Sequence, residues 1–552
     1  GRAVGVAPAV AQVLMHRGLS DATRAKEFLS SQLAGLTLPD AMADREHAAD
    51  RIARALGARE RIVVFGDYDV DGTTSAVILS GILEALGGDV GVLVGNRFDG
   101  GYGLSDAALE RVLALRPTLL ITCDCGSSDH ERIERARRSG VDVIVVDHHL
   151  VPAEPLPALA FLNPHRPECG FAYKGLASAG LVLSLGAAVR ARMKAQLDLR
   201  TFLDLVALGT IADVAPLDGD NRRLVRAGLA RLVAEAARPG IAALRELARV
   251  RVGAPLSAVD VGFRLTPRLN AAGRMGDPTL TLELLRSKDL REARVLAARV
   301  EQRNDERKQV STRVSELAIA QVIERFGPEP RHGVVVGGEG FHRGVVGISA
   351  ARLVERFGVP AVVVGFDDGA AAASLGHGSA RAPSGTALYD AIASCAAELE
   401  RFGGHQAACG VTVQRGRLDA FAAAFAAATP LSSGSALGPA AEPLADIELQ
   451  PGVFDLPAAG DLALLEPLGE ANAEPLFALP EARVIRRNVV GGSHLKLDLK
   501  LGNSLLTAFG YDLGSAEIQL DQRVRALGTL RADAYLGRDQ LELRLLAISP
   551  CG

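Results

Sequence analysis

The sequence predicts an α/β protein of two lobes joined by a long helix and followed by a small all-β barrel. Three observations carry this reading. Short apolar runs rich in β-branched residues alternate with helix-like segments over roughly residues 50–215, and again beyond residue 330. The stretch from Thr279 to Phe326 contains neither Gly nor Pro. The last hundred or so residues alternate polar and apolar side chains, as in "HLKLDLKL" and "QLELRLLAI".

Taken in order, "RIVVF" (61–65), "TLLIT" (118–122) and "VDVIVV" (141–146) read as strands of a parallel sheet buried on both faces. Residues 196–213 read as a helix, and the chain to about residue 278 as mostly helical. The charged 279–326 stretch reads as one long helix or two joined ones. At about 1.5 Å per residue it spans tens of ångströms, the reach of a connector between lobes. A second α/β unit follows, with strands in "HGVVVGG" (332–338) and "PAVVVGF" (360–366). "TPLSSGSALGPAAEP" (429–443) has the composition of a linker. The expected divisions are an N-terminal segment (1–50), a first lobe (51–278), a connecting helix (279–327), a second lobe (328–430), a linker (431–443) and the barrel (444–552).

A chain of 552 residues exceeds a single compact core. Hydrophobic residues at 48% and charged residues at 23% are ordinary for a globular protein. No apolar run approaches the roughly 18 residues needed to span a bilayer, so no membrane is expected. The start at Gly1 and Arg2 lacks a signal-peptide layout and a Met, which suggests a trimmed N-terminus. Six scattered cysteines make no disulfide framework in a chain this long, and the cytoplasm is the expected compartment. A net charge of −4 excludes nucleic-acid binding by bulk charge but not by a local groove. With 4% aromatics and no Trp, base stacking falls to a few Tyr, Phe or Arg side chains.

The chemistry concentrates in "VVFGDYDVDGTTS" (63–75), where Asp67, Asp69 and Asp71 leave an apolar strand. A calcium loop is excluded, because the twelfth position counted from Asp67 is Ile78 rather than Glu. A phosphatase nucleophile in "DVDGT" would need a later acidic pair. Asp367 and Asp368 could supply one, but they lie almost three hundred residues on and in the other lobe. A divalent-metal cluster gains from two more strand ends, one delivering Asp124 and the other Asp147, His148 and His149. Carboxyl ends of parallel strands form the ligand crevice of such sheets. Asp213 follows the apolar "ALGTIA". Clustered carboxylates repel and, when buried, protonate; divalent cations remove that penalty, and mixed Asp/His ligation suits Mn²⁺ or Mg²⁺. Asp124 alone would read as a helix cap and a lone His pair as surface; convergence of the set favours the metal. His149 reads equally as a direct ligand or as a donor behind the ligands. Cys123 and Cys125 have no second cysteine pair nearby and read as buried strand residues, not a zinc site.

"GDYDVDG", "ITCDCG", "VVDHH" and "LGTIADVAPL" resemble, in order, the motifs of the DHH phosphoesterase superfamily. Further segments resemble its branch of bacterial single-strand-specific 5′→3′ DNA exonucleases: "NRFDGGYGLS" (96–105), "YKGLASAG" (173–180), "RLNAAGRMGDP" (268–278), "FHRGVVGISAARL" (341–353), "GSARAPSG" (378–385), "GGHQAACG" (403–410) and "LEPLGEANAEPLF" (465–477). The resemblance covers nearly the whole chain. It implies a DHH lobe, a long connecting helix, a DHH-associated lobe and a C-terminal OB-type barrel, acting in DNA repair and recombination.

By motif, the resemblance implies two Mn²⁺ or Mg²⁺ ions held by Asp69, Asp71, Asp124, His148 and Asp213. Asp67 and His149 stand beside them as catalytic residues, His149 touching the scissile phosphate. In the family the third motif carries Asn where this chain has Cys125, which implies the loss of a local hydrogen bond. Substrate contacts are expected from Ser379 and Arg381, where flanking glycines permit close backbone approach and the guanidinium suits a terminal phosphate. Gly403, Gly404 and His405 form a second candidate cradle, and Arg268, Asn270 and Arg274 are assigned to DNA, with His342 and Arg343 as further candidates. On the barrel, Arg486, Arg487, His494 and Lys496 make a candidate basic edge for single strands. The implied partner is single-stranded DNA with a 5′ end, with a single-strand-binding protein and a helicase as candidate protein partners.

The chemistry is consistent with this without the resemblance. Phosphodiester hydrolysis needs hydroxide near neutral pH and charge stabilisation at the phosphate, and two cations about 4 Å apart supply both. Two alternatives stand beside it. One is a DHH-type oligonucleotide or cyclic-dinucleotide phosphodiesterase, which generally lacks the barrel. The other is an inactive DNA-binding relative, which loses the metal-site aspartates; all of the expected ones are present here.

Overall fold

A computed structural model describes residues 1–367, 369, 371–405, 408–429, 445–449, 460–533 and 540–551. The expected linker 431–443, and Asp368, lie outside the described residues.

Five strands, β1 (Arg61–Gly66), β2 (Asp89–Val94), β3 (Leu119–Cys123), β4 (Asp142–Val146) and β5 (Ala160–Leu162), form a sheet in the order β2-β1-β3-β4-β5 with every pairing parallel. The period of two in a strand sends alternate side chains into two different cores. Ile62, Val64, Ile121 and Ile144 pack with the helices on one face, among them Val70–Ala85 and Ser178–Arg192. Val63, Phe65, Leu120, Val143 and Val145 pack with helices Asp106–Ala114 and His130–Arg138 on the other. Strands β2 and β5 add to the three expected ones. β2 is an edge strand with a central Gly and partial exposure, and β5 is only three residues long, so neither makes a continuous apolar run. The helix expected over 196–213 begins only at Leu203, after a 3₁₀ turn (Leu199–Phe202) whose N-cap, Asp198, accepts the Arg200 N–H.

Connections from β1 leave toward β2 on one side, and the chain then returns to β3 on the other. The crevice of such a sheet opens at this reversal, outside the carboxyl ends of β1 and β3.

The connecting stretch resolves into two helices, Thr279–Arg286 and Leu290–Phe326. Asp289 starts the second by accepting the N–H groups of Arg291 and Glu292, both at 2.9 Å. Its 37 residues span about 55 Å. Leu296, Ala297 and Val300 near its start belong to the core of the first lobe. Val314, Ala318 and Val322 belong to the core of the second. One helix is thus built into both lobes rather than strung between them. The second sheet comprises β6 (Val334–Glu339), β7 (Ala361–Phe366), β8 (Leu375–Arg381), β9 (Arg401–His405) and β10 (Ala408–Gln414), in the order β6-β7-β8-β10-β9.

Strands β11 (Ile447–Glu448), β12 (Phe477–Val490), β13 (His494–Leu501), β14 (Ser504–Gly510), β15 (Arg523–Asp533) and β16 (Gln540–Pro550) make the third sheet. Pairing of β12 with β15 closes five of them into a barrel, and β14 runs parallel to β16, an OB-type arrangement. The first two helices, Pro8–His16 and Ala22–Ser30, bury Val10, Val13, Leu14 and Leu29 against this barrel. Helix Arg45–Ala58 instead buries Ala48, Ile52 and Ala55 against the first sheet, and so runs across the boundary expected at residue 50.

Arg222 ties these parts together. It stands on helix Gly219–Leu232 of the first lobe and is buried over the Phe28 ring, 3.8 Å from its centroid. Its donors reach Phe28 O (3.1 Å) and Ser31 Oγ (3.0 Å) of the N-terminal segment, and Leu465 O (2.8 Å) and Leu464 O (3.1 Å) ahead of the barrel. Replacement by Met keeps most of the volume but strands these carbonyls. Arg222→Met is expected to cost about 2–4 kcal/mol, read as a lower melting temperature and faster proteolytic release of the barrel. An unchanged melting temperature and digestion pattern would show that the barrel is held by its apolar contacts alone.

Candidate active site

The loops at the reversal carry the acidic residues. Asp69 N-caps helix Val70–Ala85, its carboxylate accepting the Gly72 N–H at 2.9 Å. Gly72 has no alternative, since a Cβ there would lie 2.5 Å from Asp67 N. Asp71, in the first turn of the same helix, accepts the N–H groups of Ser178 (2.8 Å) and Ala179 (3.1 Å) at the start of helix Ser178–Arg192. Helix Leu203–Ala212 presses close enough that a Cβ at Gly209 would sit 2.4 Å from Asp71 Oδ1. Asp124 follows β3 in the left-handed region, φ 63°, which Asp tolerates better than most side chains. Ser178 Oγ donates to its Oδ1 at 3.0 Å. Asp213 caps the end of helix Leu203–Ala212.

The two histidines after β4 complete the cluster. His148 Nε2 lies 3.2 Å from Asp124 Oδ1 and 3.5 Å from Asp213 Oδ2. Candidate ligand atoms of Asp71, His148 and Asp213, and of Asp124, His148 and His149, each fall within 4.8 Å of one another. Asp147 serves differently. Its Oδ1 accepts the N–H groups of His148 (2.8 Å) and His149 (3.2 Å) and meets His149 Nδ1 at 2.7 Å, while Oδ2 accepts Ser127 N at 3.1 Å. It shapes the turn that aims both imidazoles. Tyr102 Oη braces the same ring, 2.9 Å from His149 Nδ1 and 2.9 Å from the Asp124 carbonyl to which it donates.

The electrostatics show what the cluster lacks. Burial, and then the charge of Asp213, push the Asp71 carboxyl up to about 7. Burial, and then Asp69, push Asp213 up to about 7. Asp124 and Asp67 are raised well above the carboxylate range by burial and by their acidic neighbours. Asp147 alone goes the other way: burial pushes it up, but the hydrogen bonds from His149 and Ser127 hold it below the usual range. Burial lowers His149, and the Asp147 hydrogen bond and charge more than reverse that, raising it to about 9. Asp124 Oδ2 and His148 Nε2 are buried without a hydrogen-bond partner. Crowded anionic oxygens, an unsatisfied imidazole nitrogen and no thiolate fit a hard divalent cation.

Facing the acids is a guanidinium group shared between lobes. A pocket of about 250 Å³ is lined by Asp67, Asp69, Arg97, Tyr102, Asn270 and Arg274, among others. Helix Thr266–Arg274 carries the last two, and a Cβ at its Gly273 would be 2.8 Å from Tyr68 O. Half-buried Arg274 donates to Gly344 O of the second lobe at 3.2 Å, and a Cβ on Gly344 would lie 1.9 Å from Arg274 O. The lobes therefore touch backbone to backbone. Arg381 on β8 donates to Ser379 Oγ at 2.7 Å. Gly347, in the first turn of helix Val346–Phe357, would place a Cβ 3.1 Å from both Ser379 Oγ and Arg381 Nη2. Burial, and then Arg97, lower Arg381; burial, Arg97 and Arg307 push Arg274 down to about 10. Among the described residues Arg97, Arg274 and Arg381 form no ion pair, and Arg97 Nε is buried without a partner. Such a group is short of an anion, as the other is short of a cation.

A larger pocket, about 780 Å³, runs from His148, His149 and Asp213 to Tyr389 and Gly404 of the second lobe. Gly403 and Gly404 lie on β9; the side chain of His405 is outside the described residues. His342 and Arg343 pack on Phe98 of the first lobe, with centroids 5.6 Å apart and the guanidinium 4.3 Å from the ring. Arg268 is the exception. It sits on the opposite side of its helix from Asn270 and pairs with Glu301 of the connecting helix at 2.5 Å, away from the pocket. Sequence reasoning did not single out Arg97, Tyr102, Ser178 or the bracing role of Asp147, although their motifs are plain.

The succession of lobes and the strand-end cluster define a DHH-type phosphoesterase. Family models agree: the DHH family N-terminal domain matches residues 61–210, the DHHA1 domain 329–429 and the RecJ OB domain 445–547. The single-stranded-DNA-specific exonuclease RecJ of Dickeya dadantii is 37% identical over 494 residues, 86% of this chain and 84% of that protein. RecJ of Escherichia coli is 34% identical over 531 residues, 92% of this chain and 90% of that protein. The crystal structure of Thermus thermophilus RecJ in complex with Mn²⁺ superposes with a TM-score of 0.82 at 31% identity, covering 100% of this chain and 77% of that one. A Mg²⁺ complex of the same protein matches at 0.76 and 29% identity, covering 100% of this chain and 76% of that one. The chain belongs to the RecJ family. No helix among the described residues is long and apolar enough to cross a membrane.

Asp124→Asn tests the cation demand. The amide oxygen can still accept from Ser178 Oγ, while one negative charge leaves the cluster. Without divalent metal the melting temperature is expected to stay or rise. Wild type in Mn²⁺ at about 100 times its Kd should gain about 2.7 kcal/mol, and the variant should lose most of that gain. An undiminished Mn²⁺ response in the variant would remove Asp124 from the site.

Proposed function

We propose that the protein is a single-strand-specific DNA exonuclease that enters at a 5′ end and releases mononucleotides by metal-assisted phosphodiester hydrolysis. The observation that carries this is the confrontation, across one cleft, of a cation-deficient carboxylate–imidazole cluster with an anion-deficient guanidinium group. A nucleic-acid strand with a terminal phosphate satisfies both.

Asp69, Asp71, Asp124, His148 and Asp213 would hold the Mn²⁺ or Mg²⁺ pair, which when bound supplies an activated water and neutralises charge at the phosphate. The remaining roles belong to the chain. Ser178 and Ala179 fix the Asp71 carboxylate through their N–H groups, so its lone pairs keep one direction. Asp147 and Tyr102 fix the His149 ring through Nδ1, and Nε2 is assigned to an oxygen of the scissile phosphate. Asp67 stands behind the cluster, holding the Gly103 N–H of the loop that carries Tyr102. Arg381, Ser379 and Arg97 are assigned to the 5′ phosphate. Asn270, Arg274, Gly403, Gly404 and His405 are assigned to the strand backbone that follows. Arg268 seats its helix through Glu301 and acts at one remove.

A flexible strand suits a cleft whose walls meet at Gly344 better than a rigid duplex does. The barrel offers a second surface: His494, Phe509 and Tyr511 cluster with ring centroids 4.9–6.0 Å apart, and Arg544 lies over Tyr511 at 5.1 Å. Lys496 pairs beside Phe509, whereas Arg487 is bonded back to Gly514 O at 3.2 Å. On this reading the enzyme works in the cytoplasm in repair and recombination, on strands that a helicase opens and a single-strand-binding protein coats.

Strands labelled at the 3′ end should shorten stepwise from the 5′ side, while blunt duplex stays intact. The rate should fall steeply with added salt as phosphate contacts release counterions. Equal rates on both forms, or a flat salt response, would favour hydrolysis of small nucleotides instead.

Arg381→Ala should weaken binding of 5′-phosphorylated strands by about 1.5–3 kcal/mol, the scale of a lost charged hydrogen bond, and affect 5′-hydroxyl strands much less. Equal losses on the two substrates would take Arg381 away from the terminal phosphate.

A further inference from the structure

We infer that Asn221 is a positioning residue of the metal centre, clamping together the two loops on which opposite sides of that centre are built. The inference rests on the metal-dependent reading above. Asn221 belongs to none of the strand ends; it sits in the first turn of helix Gly219–Leu232 and is fully buried. Its Nδ2 donates to Gly175 O at 2.6 Å and to Pro216 O at 2.9 Å. Both partners are acceptors, so the amide orientation is fixed by chemistry.

Each carbonyl belongs to a loop that ends in the cluster. Gly175 lies three residues before Ser178, whose N–H holds Asp71 and whose hydroxyl holds Asp124. Pro216 lies three residues after Asp213. Between Asp213 and Pro216 the backbone passes through Val214 at φ 57°, a region a β-branched residue enters only when its surroundings enforce it. Asn221 is one of the groups that enforce it. Tyr173 is another, its Oη donating to Asp218 Oδ1 at 2.7 Å and lying 3.4 Å from Pro216 O.

The amide also makes a sacrifice that plain packing would not ask for: Asn221 Oδ1 is buried without a hydrogen-bond partner. An apolar side chain of the same volume would avoid that orphan, but would release both carbonyls and uncouple the loops. A carboxylate would add charge to a neighbourhood already too negative. Asn gives two donors from one atom and no charge.

The test compares Asn221→Ala, Asn221→Asp and Tyr173→Phe with Arg245→Met. Arg245 is a buried residue of the same lobe that satisfies the carbonyls of Leu232 and Ala234, far along the chain from either loop. Mn²⁺ binding is read directly from the electron paramagnetic resonance of the free ion, and hydrolysis of single-stranded DNA is followed against Mn²⁺ concentration. The Asn221 variants should bind Mn²⁺ about 10- to 100-fold more weakly, recover activity at high Mn²⁺ and keep the KM for DNA. Tyr173→Phe should shift Mn²⁺ binding in the same direction by a smaller factor, which keeps the test alive if an Asn221 variant fails to fold. Arg245→Met should lose thermal stability with Mn²⁺ binding unchanged. Mn²⁺ binding within about twofold of wild type in the Asn221 and Tyr173 variants, or an equal shift in Arg245→Met, overturns the clamp. Absence of Mn²⁺ binding by wild type overturns the metal reading and the clamp with it, an outcome distinct from selective loss in the variants.

Discussion

The rest of the structure depends on the mutual repulsion of carboxylates buried together at the point where the first sheet reverses its strand order. Asp67, Asp71 and Asp124 are almost without exposure, and Asp213 is largely covered. Left alone, such groups either take up protons or push the loops apart. Neither outcome is met by exposing them to water. The loops are pinned instead, and each pin is a specific backbone feature. Asp71 is held by two N–H groups of a neighbouring helix, and Asp124 by a left-handed backbone and a serine hydroxyl. Gly72 and Gly209 make the close approaches possible, since any side chain at either would collide with backbone or with Asp71. The fold holds open a demand for positive charge that its own residues do not meet.

The guanidinium group, to which both lobes contribute, states the complementary demand. Burial, and then the neighbouring Arg97 guanidinium, lower both Arg274 and Arg381. Two like-charged clusters of opposite sign, each unstable by itself, would neutralise each other if they touched. Arg97 and Arg274 line the same pocket as Asp67 and Asp69 without pairing to them, and Arg381 is held across the cleft by rigid elements: the connecting helix, built into the cores of both lobes, and the backbone contact at Gly344. Separation matters because a direct salt bridge between the clusters would close the cleft and remove the reason for either. A phosphodiester and its cations can fill the gap that the fold refuses to fill with its own side chains.

This arrangement explains what was legible in the sequence. Asp69, Asp71, Asp124 and His148 follow apolar strands, and the rule that parallel strands end at a common crevice brings them together. Asp213 follows an apolar helix, which that rule does not cover, and joins them through the motif it stands in. The closeness of Ser379 and Arg381 was legible from their short spacing along one strand. Arg97 and Tyr102 were not, although they stand in a quoted motif. They lie in a loop containing Gly100, Gly101 and Gly103, all at positive φ, and no periodicity predicts where such a loop aims a side chain. The placement of Arg268 was not legible either: it shares a motif with Asn270 and Arg274 but stands on the other side of the helix, and its partner Glu301 is 33 residues away. The edge strands β2 and β5 escaped because short or half-exposed strands carry no continuous apolar signal.

The barrel extends the same logic to the ends of the chain. The helices of residues 8–30 cover the barrel with apolar side chains, although more than four hundred residues separate them from β11. Burial of that kind alone would leave the barrel free to roll over an oily surface. Arg222 prevents this by directional bonds to carbonyls on both sides, and Leu217 adds one more through its N–H to Glu470 O at 2.7 Å. Leu217 is four residues from Asp213, and Gly469 would collide with it through any side chain. The barrel is therefore registered against the loop that carries one of the acidic cluster's own residues. A strand lying on the aromatic face of the barrel and threading the cleft would be held by one continuous rigid frame, so the distance from its grip to the cluster is set by covalent and hydrogen-bonded structure rather than by diffusion of a tethered domain.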